Sequence, residues 1–184
     1  MWEKDKEEYR RVYFRGERQY ENGAMKYGSL IADAHETGEC TGDPLIDLTL
    51  SGVPRYEHNN KEFIVDVVYQ KGTVPVLFKP DSITGKMDKL IELKTGTSKW
   101  TQKKADEHGQ ITLYCLGVHV LTGEIPTADL VYAPTIKNAF GDRELTGEIF
   151  TFRTERKLTD LLRMKKRIHD AWVGIGEMAK EELL

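Results

Sequence analysis

Cysteine is scarce in this chain. Cys40 and Cys115 are the only two in 184 residues, and they lie too far apart for a C-x-x-C spacing. That argues against a structural zinc and against a disulfide framework, and it leaves too few thiolates for a four-cysteine iron–sulfur cluster. Long apolar runs are also missing. No stretch approaches the roughly 20 residues that a membrane-spanning helix requires. The N-terminal MWEKDKEEYRRVYF carries charges and aromatics where a secretory signal would carry an apolar segment. A soluble, cytoplasmic protein is the expectation, with no membrane partner. Positive charge is not in surplus either: 27 Lys and Arg face 30 Asp and Glu, for a net charge of −3. Global electrostatics therefore do not advertise an anionic polymer as a partner, and any such contact would have to come from local basic clusters.

What is present is one domain's worth of patterned sequence. No repeat, low-complexity tract or linker divides it, so a single domain over 1–184 is expected. Residues 1–22, with Tyr9, Tyr13 and Tyr20, read as a helix or arm leading to a turn at Asn22-Gly23. Tyr27, Leu30, Ile31 and Ala34 then recur at i, i+3, i+4 and i+7, an amphipathic helix that should end by Gly38. Ile46, Leu48 and Leu50 alternate with polar residues and predict a half-buried strand closed at Ser51-Gly52. Pro54 limits the next segment to an edge strand at best. Phe63–Tyr69, Val76–Phe78 and Met87–Lys94 read as strands. Lys103 to about Val118 reads as a helix with Ile111, Tyr114 and Val118 on one stripe, despite Gly109 and Gly117. Strands at Ala128–Ala133 and Glu148–Arg153 precede a long helix whose buried side is assigned to Leu158, Leu161, Leu162, Ile168 and Trp172. Residues 24–118 would form the core that carries the chemistry, and 128–184 the closing strands and C-terminal helix.

The chemistry is concentrated in Lys79-Pro80-Asp81 and Ile91-Glu92-Leu93-Lys94-Thr95-Gly96. In an extended strand Glu92 and Lys94 share a face, roughly 6.6 Å apart along the backbone, while Leu93 points into the opposite layer. A carboxylate between Ile91 and Leu93 is costly unless a cation or metal meets it; the alternative is a salt bridge to Lys94 or Lys89 on an exposed strand. Asp81 could equally cap a turn, but it is better placed than Asp88, a hairpin-flank residue, to converge with Glu92. Two such carboxylates hold Mg²⁺ or Mn²⁺, and the lysine is left to hold or deprotonate an attacking water. Gln110 and Tyr114, at i and i+4, share one helical face; the spacing also fits a buried tyrosine satisfied by a neighbour.

Pro80-Asp81 with Glu92-x-Lys94 resembles the PD-(D/E)XK nuclease superfamily. Lys94-Thr95-Gly96 followed by Gln110 and Tyr114 is similar to its RecB-like and phage exonuclease branch. The resemblance covers roughly residues 20–175, though its motifs occupy only short stretches. It implies an α/β fold with a restriction-endonuclease-like core, a central mixed sheet flanked by helices. It further implies Mg²⁺- or Mn²⁺-dependent cleavage of DNA phosphodiesters, as an exonuclease in phage or bacterial recombination or repair. Asp81, Glu92 and the Leu93 carbonyl would hold metal, with Lys94 beside the water and Gln110 and Tyr114 positioning substrate or lysine. Some members of that branch carry an iron–sulfur cluster; with two cysteines none is expected here. The third acid in related nucleases comes from a helix before the sheet, which matches Tyr27–Glu36 and makes Glu36 the candidate. This chain departs from the pattern at Ala32, where many members place a histidine. His35 is a secondary candidate, about 100° around the helix from Glu36.

Lys99, Lys103 and Lys104 around Trp100 combine cations with an aromatic, as phosphate contact plus base stacking would need. Arg163, Lys166 and Arg167 form a second basic group on the last helix, a pattern that solvated helix faces also show. By family analogy a homo-oligomer and a recombination partner protein are further expectations, and longer relatives could carry a segment ahead of the first helix. The rival expectations are a structure-selective or restriction endonuclease, and a catalytically silent DNA-binding or assembly module of the same fold.

Overall fold

In a computed structural model the chain is described over residues 5–17 and 23–182. The expected turn at Asn22-Gly23, together with Tyr20, falls at least partly outside those residues. The N-terminal arm is helical where described: α1 spans Lys6–Tyr9, capped by Asp5, and continues as a π-helical turn over Arg10–Phe14. Helix α2 (Gly23–Thr37) buries Ile31, Ala34 and His35 and stops where Gly38 adopts φ +70°, as the sequence pattern indicates.

The segment read as a strand at Ile46–Leu50 is instead helix α3 (Pro44–Ser51). The Asp43 carboxylate accepts the Leu45 and Ile46 N–H groups at 2.9 and 3.3 Å, and Pro44 starts the helix. An N-cap followed by proline outweighs three alternating residues. Ile46 and Thr49, three apart, are buried, while Leu48 is 69% exposed, which an alternating strand would not produce.

After the short β1 (His58–Asn59), β2 (Phe63–Tyr69) and β3 (Gly72–Phe78) form a separate two-stranded antiparallel hairpin. Pro75 lies inside β3, which begins ahead of the expected start at Val76, because each strand of a two-stranded sheet has an open edge. The central sheet has the order β1-β4-β5-β6-β7, built with β4 (Ser82–Ile83), β5 (Lys89–Gly96), β6 (Thr127–Lys137) and β7 (Arg143–Leu145); β8 (Phe150–Thr154) also pairs with β6. The β5–β6 pair is parallel and the other pairs are antiparallel, so the sheet is mixed. A parallel pair requires a crossover. It is supplied by α4 (Gln102–Asp106) and α5 (Gly109–Thr122), which the sequence pattern merges into one helix. Strand β7 has no counterpart among the expected elements.

The alternation of β5 and β6 divides two cores. Leu90, Leu130 and Tyr132 face α5, α6 (Leu158–Glu182) and the β2–β3 hairpin; Ile91, Leu93, Val131 and Ala133 face α2 and α3. Helices on both faces of a mixed sheet are the expected α/β architecture. Gly117 is needed inside α5, since a Cβ there would stand 2.3 Å from the Phe78 ring. The face of α6 differs from expectation. Leu161, Met164 and Met178 are buried, Ile168 packs at the margin, and Leu158, Leu162 and Trp172 are about half exposed. Among the described residues, no helix is long and apolar enough to cross a membrane.

Candidate active site

The site forms where the sheet forks. Strand β4 ends after two residues, so β5 keeps β6 on one side but loses its other neighbour beyond Ile91. The pairing Ser82↔Ile91 and Ile83↔Leu90, continued by one residue, sets Asp81 opposite Glu92. Cross-strand partners share a face, with Cβ atoms about 5 Å apart. Where β4 has left, the Asp81 carboxylate accepts the Leu93 N–H at 2.6 Å. The N–H and C=O of one residue leave a strand on the same side, so the Leu93 carbonyl is directed to that same vacated edge, while its side chain packs among Ile31, Ile46 and Val53. The backbone of Asp81 is tied as well: its carbonyl accepts the Asn60 N–H at 3.0 Å.

Glu92 is 1% exposed. One carboxylate oxygen pairs with Lys94 Nζ; the other, Oε2, is buried and makes no close hydrogen bond, with the Tyr114 hydroxyl within electrostatic reach of the same carboxylate. Burial, and then the neighbouring Asp81 charge, pushes the Glu92 carboxyl up to about 7, against the opposing pull of Lys94. Asp81 is raised too, chiefly by burial, with Leu93 N–H, Lys94 and His35 acting against it. Lys89, the other partner in the alternative reading, is engaged elsewhere, 3.0 Å from Asp129. The Lys94 salt bridge of the alternative reading is formed, but on a buried carboxylate, 1% exposed, and not on an exposed strand.

Lys94 donates to Gln110 Oε1 at 2.9 Å, and Gln110 Nε2 donates to the Tyr114 hydroxyl at 2.5 Å. Glu92, Lys94, Gln110 and Tyr114 thus form one continuous polar chain between β5 and α5. Tyr114 is buried, and burial followed by the Glu92 charge raises its hydroxyl. The break between α4 and α5 has its own anchor. Arg156, 6% exposed, donates to the carbonyls of Ala105 and His108 at 2.9 and 3.2 Å and to the Thr112 hydroxyl at 2.7 Å. This fixes the start of the helix that carries Gln110.

Glu36 stands apart from this chain. Its carboxylate accepts from the Asn60 side chain, and its backbone carbonyl accepts from Arg55 at 2.8 Å. The helix that bears it covers the opposite face of the sheet from Glu92, and Asn60, which holds Glu36, also donates its backbone N–H to the Asp81 carbonyl. Among the described residues, no group of three or more His, Cys, Asp or Glu is placed to hold a metal ion. His35, the secondary candidate, is buried, 2% exposed. Its Nε2 lies 3.2 Å from the Pro54 carbonyl, and burial lowers its pKa while the nearby Asp81 charge opposes that.

Of the basic cluster, Lys104 Nζ donates to the Lys99 carbonyl at 2.6 Å and Lys103 lies 3.9 Å from Glu107. Trp100 packs against the core, edge-on to His108 with ring centroids 5.2 Å apart. On α6, Lys166 pairs with Asp170 at 2.5 Å and Arg163 with Asp160 at 3.6 Å. Three contributors to the site carry no signal in the sequence pattern: Asn60, His108 and Arg156. Asn60 has φ +52°, a conformation asparagine tolerates better than most residues, but only the fold brings it to Asp81. Burial first and the Lys94 charge second press the His108 imidazole down to about 4.

With this geometry in hand, comparison with known proteins gives a fold and no family. The fold has a nuclease-named neighbour. It is the crystal structure of "Putative exonuclease" from Eubacterium rectale, matched at a TM-score of 0.52 with 16% identity over 91% of this chain and 74% of that one. The crystal structure of SSO0001 covers 60% of this chain, and this chain spans 48% of it, at a TM-score of 0.39 and 13% identity; that similarity bears no weight. No family model and no curated protein sequence matches the chain.

Proposed function

We propose that this chain is a Mg²⁺- or Mn²⁺-dependent deoxyribonuclease of the PD-(D/E)XK kind that degrades DNA from its ends. The observation that carries the reading is the buried Glu92 carboxylate. It stands opposite Asp81 with one oxygen on Lys94 and the other without a close hydrogen bond. A carboxylate buried this deeply, with one oxygen so placed and a second acid alongside, is unstable as a structural device and suited to receive a divalent cation. Asp81, Glu92 and the Leu93 carbonyl would hold it; Glu36 is the outlying acid that the resemblance adds. Such an ion supplies Lewis-acid polarisation of a phosphoryl oxygen and makes water more acidic.

The chain's own groups do the positioning. Lys94 Nζ, held between Glu92 and Gln110, is fixed where it can donate to the attacking water and keep its oxygen lone pair aimed at phosphorus, in line with the leaving oxygen. Gln110 and Tyr114 keep the ammonium from folding back wholly onto Glu92. The neighbour from Eubacterium rectale carries an exonuclease name, which supports the same direction.

One observation favours a second reading, a silent DNA-binding module of the same fold: three acids do not converge among the described residues. End-labelled linear DNA and closed circular DNA, incubated with Mg²⁺ or Mn²⁺ and with an EDTA control, separate the cases. Loss of linear DNA alone supports the exonuclease. Nicking of the circle makes it an endonuclease, and metal-independent, salt-sensitive binding without products supports the module.

A further inference from the structure

The register of the central sheet leads from Lys94 to an aromatic pocket. Lys94 pairs with Tyr132 on β6, and Tyr132 pairs with Phe150 on β8. Laterally paired residues share a face, and neighbouring strands are about 4.8 Å apart, which sets Phe150 about 10 Å from Lys94 along one row. The preceding row runs Glu92, Leu130, Phe152. Tyr132, Phe150, Phe152 and Trp100 line a cavity of about 470 Å³ just past the end of β5, where one cation, Lys99, is balanced by one acid, Glu148.

Tyr132 is buried, its ring stacked with Phe150 at 6.3 Å and 29°, and its hydroxyl is satisfied by the Gly96 carbonyl at 2.7 Å, so it forms the floor against which Phe150 rests. Phe150 is 45% exposed, an aromatic ring left open to solvent two strands along the row from Lys94. A smaller cavity shares Thr97 and Trp100 with this pocket, and Tyr27 and Arg143 with a third of about 580 Å³, where Lys26, Lys137 and Arg143 stand with Asp142. In a chain of net charge −3, that local excess of cations beside a stack of rings complements a polyanion with flat apolar units.

We infer that the Trp100–Tyr132–Phe150–Phe152 pocket is a nucleobase subsite. It takes one unpaired base of a single-stranded DNA end, while the neighbouring Lys26, Lys137 and Arg143 follow the phosphates leading away from the reacting position. The inference rests on the nuclease reading above. Aromatic platforms of this kind bind without sequence preference, because every base has a π-face.

The test uses a short single-stranded oligonucleotide with 2-aminopurine at successive positions, and its abasic counterparts, bound in EDTA so that nothing is cut. One 2-aminopurine position should be quenched on binding, and removing the base there should weaken affinity about 5- to 150-fold. Phe150→Ala should reproduce that loss and Phe150→Tyr should restore binding, while circular dichroism shows both variants folded. Equal affinity for all abasic probes, or Phe150→Ala binding like wild type, overturns the subsite. Metal-dependent DNA degradation, assayed separately, then tells whether the nuclease reading stands without it; absence of both binding and degradation overturns the two together.

Discussion

Replacing Glu92 by glutamine should make the metal-free protein more stable, and increasingly so as pH rises. Glu92 titrates near 7 in the folded chain against an ordinary 4.5. Between those values the native state holds a proton that the unfolded chain has released, so stability falls as pH rises through the window. At roughly 1.4 kcal/mol per pH unit of displacement, the fully ionised site costs up to about 3 kcal/mol. Glutamine removes that cost and still offers Lys94 an acceptor; Lys94, 27% exposed, can reach water for the rest. His108 acts with the opposite sign. Its pKa is lowered from 6.5 to about 4, so its contribution rises with pH between those values and masks part of the Glu92 slope in wild type. The difference between variant and wild type isolates Glu92. Urea denaturation in EDTA at a series of pH values from about 4.5 to 8, a range set by the titration of carboxylates and histidine, should show the gap in favour of Glu92→Gln widening by about 3 kcal/mol. At the upper end this corresponds to roughly 6 to 12 °C in Tm for a chain of this size. A constant gap across the series, or a variant less stable at high pH, would rule out Glu92 as the source of the slope.

Asp81→Asn removes the second largest influence on Glu92, so the pH window of Glu92 should move down, while an amide oxygen can still accept the Leu93 N–H; stability titrations in EDTA check the shift. Lys94→Ala should cut any nuclease rate by about 10²–10⁴-fold and destabilise the metal-free fold above about pH 7, where wild-type Glu92 ionises against Lys94 and the variant loses that pairing; product release and urea midpoints measure the two effects. Gly117→Ala, with its Cβ 2.3 Å from the Phe78 ring, should cost about 1–3 kcal/mol by overpacking, read from thermal unfolding. Asp43→Ala should cost about 1 kcal/mol through loss of the α3 N-cap, whereas a strand there would show no such effect.

The strand that carries Glu92 and Lys94 is legible because the two lie two apart in a β-branched and aliphatic context that permits little but a strand. The convergence of Asp81 with Glu92 follows from the short hairpin distance between them. Helix α3 is hidden because three alternating apolar residues mimic a strand, and the capping pair Asp43-Pro44 is the signal that separates the two. The roles of Asn60, His108 and Arg156 are not legible at all. Each meets the site through contacts far along the chain, such as the 48 residues between Arg156 and His108. The separation of Glu36 from Glu92 has the same origin: a helical motif gives a residue's face, and the packing of that helix on the sheet decides which side it serves. On α6, Leu158, Leu162 and Trp172 fit an apolar stripe as well as Leu161 does, and only the neighbouring α5 and hairpin choose among them.

A metal site built on Glu92 and served by Lys94 is tested by measuring Mn²⁺ binding and release of nucleotides from linear duplex DNA in the same samples of wild type, Glu92→Gln and Lys94→Ala. Wild type should bind Mn²⁺ and release nucleotides, Lys94→Ala should bind Mn²⁺ without releasing them, and Glu92→Gln should do neither. Undiminished Mn²⁺ binding by Glu92→Gln, or nucleotide release by Lys94→Ala at the wild-type rate, would contradict the assignment.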